Sequence, residues 1–354
     1  MKIQKTSFSN PSFGSNRKKF DVQGHIGTMY DNGRKVTYNS QNIIDTVEPN
    51  NVKKVLVSSL SGLNALGQDT FCSEIESAKE IIAMKGNDNV KLLPLLSCQP
   101  GIAQDTTVAE KLLDKNKFYG LKFHPSNTNK AIKDNFDIYS KYITLAEKKG
   151  LPCVFHSITD GKSDPVEIIK LAEQHPKHPI ILYHIDLASQ PEQMARTIDN
   201  ISSSVKAGKS NLFIDISWLT NLWDNAEQNK NTIKQALKKL GADRILFGSD
   251  TPITEMGNMD NYGKFADFVE DTVKEFYTDK PKEGEKALNK IFYDNAEELF
   301  INKNWFNAKS QPSKSKALLI GVGVGIAAIT AIALKCLHGA DKTVENSPSH
   351  VSKK

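Results

Sequence analysis

The chain has 354 residues, 39% hydrophobic and 25% charged, with a formal net charge of +5. That balance excludes a disordered chain, a collagen and a multi-span membrane protein. Only four of the 46 basic residues are arginines (Arg17, Arg34, Arg196 and Arg244), so a bidentate nucleic-acid clamp is not expected.

The positive charge sits at the ends. Residues 1–19 carry five basic groups and no acid, and residues 301–354 carry eight lysines against Asp341 and Glu345, leaving residues 20–300 at about −6. The first segment, 1–19, lacks the apolar stretch of a secretory signal and reads as a disordered basic leader. From residue 20, strand-like runs alternate with helical patterns. The runs are Phe20–Ile26, Lys54–Ser58, Leu92–Leu96, Tyr119–Phe123, Pro152–Phe155, Ile180–Tyr183, Leu212–Ile216 and Arg244–Phe247. Amphipathic helical stretches fall between them at Ser73–Met84, Asn135–Lys149, Asp164–Gln174, Pro191–Val205 and Ala226–Leu240. Short continuous apolar runs suit strands buried on both faces. Eight such β-α units predict an α/β fold, a (β/α)8 TIM barrel over 20–305. No Gly-x-Gly-x-x-Gly turn follows the first run, which disfavours an open dinucleotide-binding sheet.

A polar linker, 306–316, leads to Ala317–Leu334, which carries no charge and is bracketed by Lys314, Lys316 and Lys335. As a helix it would span about 27 Å, near the thickness of a bilayer core. Gly321 and Gly325 give it a small-residue face. A single transmembrane helix is expected at 317–337, then a polar tail, 338–354, with the barrel on the cytoplasmic side. Cys72, Cys98, Cys153 and Cys336 form no paired short spacing and read mainly as buried apolar residues in a reducing compartment.

Function in such a barrel resides at the C-terminal ends of the strands. His25, His124, His156 and His184 fall there, and Asp250 directly follows the last run. Each alone suits a structural histidine. Together, imidazoles and a carboxylate at one mouth form a ligand set for Zn²⁺, Mn²⁺ or Fe²⁺. A metal-bound water would lose its proton to Asp250, while His184 polarises the substrate or protonates a leaving group. Lys122 and His124 share a strand face and suit substrate binding, with Lys122 placed to hold a carboxylate. Trp218 and Trp223, Asn64, Gln68 and Asp69, and Ser157, Asp160 and Lys162 lie in loops at that face and are candidates for shaping the pocket.

Six segments, Phe20–Gly27, Gly120–His124, Leu151–His156, Ile180–His184, Ile245–Pro252 and Ile291–Phe300, resemble the amidohydrolase-related metal-dependent hydrolases of the amidohydrolase superfamily. The resemblance implies a distorted (β/α)8 barrel with one divalent metal, zinc foremost. His25, His156 and Asp250 would be its ligands, Asp250 also the base, and His184 a near-metal acid/base. The implied activity is hydrolysis of an amide or lactone by metal-activated water. Non-oxidative decarboxylation is the alternative, and a catalytically degenerate, membrane-displayed binding barrel is a third reading. One departure stands out. The family's first strand ends His-x-His, and here it ends Gln23-Gly24-His25. A neutral amide is a poorer zinc ligand than imidazole, so metal affinity should fall, and a metal-free barrel stays open. The partners implied are a small-molecule substrate and a membrane, with a homo-oligomer also open.

Overall fold

The computed structural model describes residues 16–31, 34–63, 73–186, 190–217, 225–253 and 259–306. Nine strands form one sheet: β1 (Lys19–Asp31), β2 (Arg34–Tyr38), β3 (Val52–Ser59), β4 (Lys91–Cys98), β5 (Gly120–Phe123), β6 (Cys153–His156), β7 (Pro179–Tyr183), β8 (Asn211–Asp215) and β9 (Ile245–Leu246). Eight run parallel in the order β1-β3-β4-β5-β6-β7-β8-β9, and β2 is an antiparallel flap on β1. The ends of the row meet. Val22 N donates to Phe247 O at 3.0 Å, Asp250 N to Gln23 O at 3.0 Å and His25 N to Thr251 O at 2.8 Å, which closes the barrel and leaves no free edge among the parallel strands.

Each expected run contains a strand, and each expected helical stretch a helix: α2 (Glu74–Ile82), α5 (Phe136–Lys149), α6 (Pro165–Gln174), α7 (Pro191–Lys206) and α8 (Ala226–Leu240). Local chemistry fixes these boundaries. Ser73 and Glu76 form a reciprocal capping box at the start of α2, and Gly150 ends α5 in the left-handed conformation. The sequence reading omitted β2, α1 (Ser40–Val47), α3 (Thr107–Lys115), the one-turn α4 (Pro125–Thr128), α9 (Met259–Phe276) and α10 (Pro281–Asn289). The flap strand β2 carries polar residues at most positions and no apolar run marks it.

Alternation along the strands sorts the apolar residues into two clusters. Val55, Val57, Leu96, Leu121, Phe123, Phe155, Leu182 and Ile214 pack outward with the helices. Phe20, Val22, Leu56, Leu93, Leu95, Val154, Ile181, Tyr183, Phe213 and Leu246 contact no residue of α1–α10 within their cluster and fill the lumen. The floor is stopped by the last described segment, whose π-helical turns Lys290–Asp294 and Glu297–Asn302 bring Leu299 and Phe300 into the lumen cluster. Phe300 stands 6.3 Å from the Phe20 ring. Asn295 pins this segment by donating to Ala242 O and Ile245 O.

The folded body begins before residue 20. Lys19 belongs to β1, and its buried ammonium donates to Arg17 O and Asn50 O, where a disordered leader was expected. Arg17 bonds Glu285 and Asn289. The expected linker and span at 306–337 lie, apart from Phe306, outside the described residues. Among the described residues no helix is long and apolar enough to cross a membrane. Cys98 and Cys153 are buried free thiols, pushed up by burial as expected of packing residues. His175 and His178 are also buried. His175 bonds Ser140, and His178 packs edge-on to Trp305.

Candidate active site

Pairing of β1 with β3 slips between Asp21 and Gly24, where β1 advances three residues against two. Below this bulge Phe20 and Val22 face the lumen, and above it Gln23 and His25 stand in the mouth. Asp21 turns outward and locks the bulge. It accepts from Gln23 N (3.0 Å), Ser249 N (3.1 Å), Ser249 Oγ (2.5 Å) and Tyr262 Oη (2.9 Å). Burial lifts its carboxyl to about 6 against the pull of those bonds.

Asp250 is the hub of the mouth. Its Oδ1 accepts from Gln23 Nε2 at 2.7 Å and from His25 Nε2 at 2.8 Å. Burial would raise this carboxyl, but the His25 bond and the positive potential of His25, His184 and Lys122 outweigh it and hold it at about 2. His25 Nδ1 pairs with Ser58 Oγ at 3.0 Å. His184 lies with Nε2 3.3 Å from Gln23 Nε2 and Nδ1 2.9 Å from Ser217 Oγ. The amide NH₂ can only donate, so the imidazole proton is on Nδ1. Burial, with Lys122 nearby, pulls His184 down to about 4 against the opposing Asp250 charge, and the ring is neutral at pH 7. Its backbone N donates to Asp215 Oδ1 at 2.7 Å. His184, Asp186 and Asp250 all take left-handed backbone angles, φ 63°, 61° and 66°, which non-glycine residues adopt only where surroundings enforce it.

His124 and His156 stack 3.8 Å apart, and His156 meets the His184 ring edge-on at 5.1 Å. Burial drives both stacked rings well below their ordinary range. His124 Nδ1 accepts from Asn127 N, so this neutral ring carries its proton on Nε2. Lys122 is 1% exposed, its ammonium 3.9 Å from the centroid of the Tyr183 ring. Among the described residues it has no hydrogen-bond acceptor. Burial brings it down to about 7, with Asp250 and Asp215 opposing. Ser97, paired in register with Lys122, has a buried hydroxyl with no partner among the described residues.

Six of the expected site residues, His25, His124, His156, His184, Asp250 and Lys122, thus lie in one mouth. Trp218 lies outside the described residues, as do Trp223, Asn64, Gln68 and Asp69. Ser157 and Asp160 serve the backbone instead: Ser157 Oγ donates to His184 O, and Asp160 Oδ1 accepts from Lys162 N and Ser163 N. The sequence reading gave no role to Asp215 and Ser217. Ser217 Oγ lies 2.6 Å from Gln23 Oε1 and 2.8 Å from Asp215 Oδ1, bridging three mouth residues. Asp215 Oδ2 occupies the space that a Cβ at Gly248 would need, 2.6 Å away. Burial raises this carboxyl to about 7. The available signal was polar residues ending an apolar run.

A family model described as amidohydrolase matches residues 98–301. The chain belongs to the amidohydrolase family. Solved structures agree on the fold. An amidohydrolase from Burkholderia multivorans is 11% identical with a TM-score of 0.57, covering 80% of this chain and 99% of its own. The 2,6-dihydroxybenzoate decarboxylase from Rhizobium is 15% identical at 0.53, covering 80% and 98%. A probable 2-pyrone-4,6-dicarboxylic acid hydrolase from Acinetobacter baumannii is 13% identical at 0.51, covering 80% and 99%. No curated protein matches the chain in sequence.

Among the described residues, the donor set of this amidohydrolase does not fit a divalent metal. Among the described residues no three His, Cys, Asp or Glu groups are arranged to hold one. Gln23 turns its NH₂ toward Asp250 and its oxygen toward Ser217, so a hydrogen-bond donor stands where a ligand was expected. The lone pairs of Asp250 Oδ1 are engaged by two N–H groups. His156 stacks on His124 and makes no hydrogen bond with His25 or Asp250. The expected trio His25, His156 and Asp250 is therefore assembled as a hydrogen-bonded network around Asp250, with His156 apart.

Proposed function

We propose that the mouth binds a small carbonyl compound bearing a carboxylate and hydrolyses its C–O or C–N bond. The observation that carries this reading is a buried ammonium, Lys122, that has no hydrogen-bond acceptor among the described residues and stands near an ionised Asp250. A buried cation without a partner favours an anionic guest. Lys122 and the Ser97 hydroxyl receive the substrate carboxylate, and the Nε2–H of His124 donates to the guest. Asp250 accepts the proton of the attacking water. His184, neutral with its Nε2 unprotonated, takes that proton from Asp250 at Nε2 and passes it to the leaving group. A panel of carboxylated lactones and amides, assayed with the native chain and with Asp250→Asn, tests this. Turnover lost in the variant supports it, and no turnover across the panel overturns it.

Non-oxidative decarboxylation is the second reading. The same lysine would hold the carboxylate that leaves, and the fold matches that of a 2,6-dihydroxybenzoate decarboxylase. CO₂ release from aromatic acids without hydrolysis products would select it. A chain inert in both assays that still binds the acids would be a binding barrel. We also propose that 317–337 anchors the chain in a membrane with the barrel cytoplasmic. The full chain should pellet with membranes, and a chain ending at residue 309 should remain in the supernatant.

A further inference from the structure

The mouth needs a positive charge to balance Asp250, and two candidates compete for that place: a divalent metal and the protein's own lysine. The orientation of Gln23 decides between them. Its oxygen accepts from Ser217 Oγ, which in turn accepts from His184 Nδ1. To offer oxygen to a metal, the amide must flip. The flip sets NH₂ against Ser217 and oxygen against Asp250 and the acceptor nitrogen of His184, losing the 2.7 Å bond to Asp250. His25 likewise spends its Nε2–H on the same carboxylate oxygen. Lys122, meanwhile, is buried with its ammonium against the Tyr183 ring, without a hydrogen-bond acceptor among the described residues and within electrostatic reach of Asp250 and Asp215. A divalent cation beside Asp250 would meet that ammonium in a medium of low dielectric, where like charges repel strongly.

We infer that this barrel has exchanged its metal for an internal cation: Gln23 and His25 hold Asp250 by hydrogen bonds, and Lys122 supplies the positive charge that faces the substrate. The inference deepens the proposed function and rests on it for the role of the substrate, but the occupancy of the mouth is measured without turnover. The full chain is loaded with Zn²⁺ or Mn²⁺, freed of excess, analysed for metal and melted with and without chelator. The wild type should hold substoichiometric metal and melt at the same temperature in both. Gln23→His should bind zinc at least about 100-fold tighter, having regained an imidazole ligand. Adding Lys122→Met should tighten it by a further factor of about ten or more, because the opposing ammonium is gone. Gln23→Glu, nearly isosteric, serves if the histidine variant fails to fold and should also gain metal. A wild type that retains one equivalent of metal and gains thermal stability from it overturns the inference and leaves the hydrolase reading standing. Folded Gln23 variants that gain no metal overturn it as well. Absence of turnover with a metal-free mouth would instead remove the proposed function alone.

Discussion

Along the same eight strands, the lower lumen is filled by Phe20, Val22, Leu56, Leu95 and Val154, whereas the mouth holds Gln23, Lys122, His156, His184 and Asp215. Both regions are buried. The floor gains stability from that burial at about 25 cal/mol for each Å² of apolar surface covered. The mouth loses by it, since burial, against the opposing charges and hydrogen bonds, brings Lys122 and Asp215 to about 7 from opposite directions. A floor residue answers for volume, while a mouth residue answers for the partner it satisfies. The strained backbone at His184 and Asp250 belongs to the second region and is held in place by the first.

Asp250→Asn should sharpen the contrast most. It keeps the shape and removes the charge at the hub, so turnover should fall by about 10²–10⁴-fold with little change in fold, read by steady-state kinetics and circular dichroism. Phe300→Ala tests the floor. Removing the plug should destabilise the barrel by about 3–5 kcal/mol in urea melts, while the activity of the remaining folded protein stays near wild type. A large loss of specific activity there would break the division between the regions. Lys122→Met should do the opposite. Its folded value of about 7 lies below the unfolded 10.5, so the ammonium opposes folding in full below pH 7, and the penalty fades as pH rises from 7 toward 10.5. The variant should gain as much as a few kcal/mol at pH 7, lose that pH slope between 7 and 10, and lose activity. Ser217→Ala is the mildest. It unties Gln23, His184 and Asp215 at once, which should lower turnover about tenfold and stability by about 1 kcal/mol, seen as a change in kcat with little change in KM.

The barrel was legible because buried parallel strands must be apolar without a break, and each run such as Ile180–Tyr183 declares itself. Polar edges do not, so β2 escaped notice. At the mouth, His25, His156, His184 and Asp250 were legible from their places at strand ends. Asp215 and Ser217 occupy equivalent places, but serine and aspartate end strands for many reasons, and only their distances to Gln23 and His184 give them a role. The direction of the Gln23 amide has no trace in the sequence at all. It follows from a serine two strands away in the barrel but 194 positions along the chain.

The bulge in β1 has a consequence for how this chain can change. An uninterrupted strand would continue the alternation of Phe20 and Val22 and give the next inward place to residue 24, a glycine whose Cβ would stand 2.7 Å from Val55. The one extra residue acts as a phase shift between two frames, one that packs and one that reacts. Deleting a single residue at Val22–Gln23 would restore unbroken alternation and still leave His25 facing the mouth, because the residues above the deletion keep their present faces. Substitution can tune this mouth residue by residue, whereas removing the extra residue takes away one inward place of β1 and leaves the other.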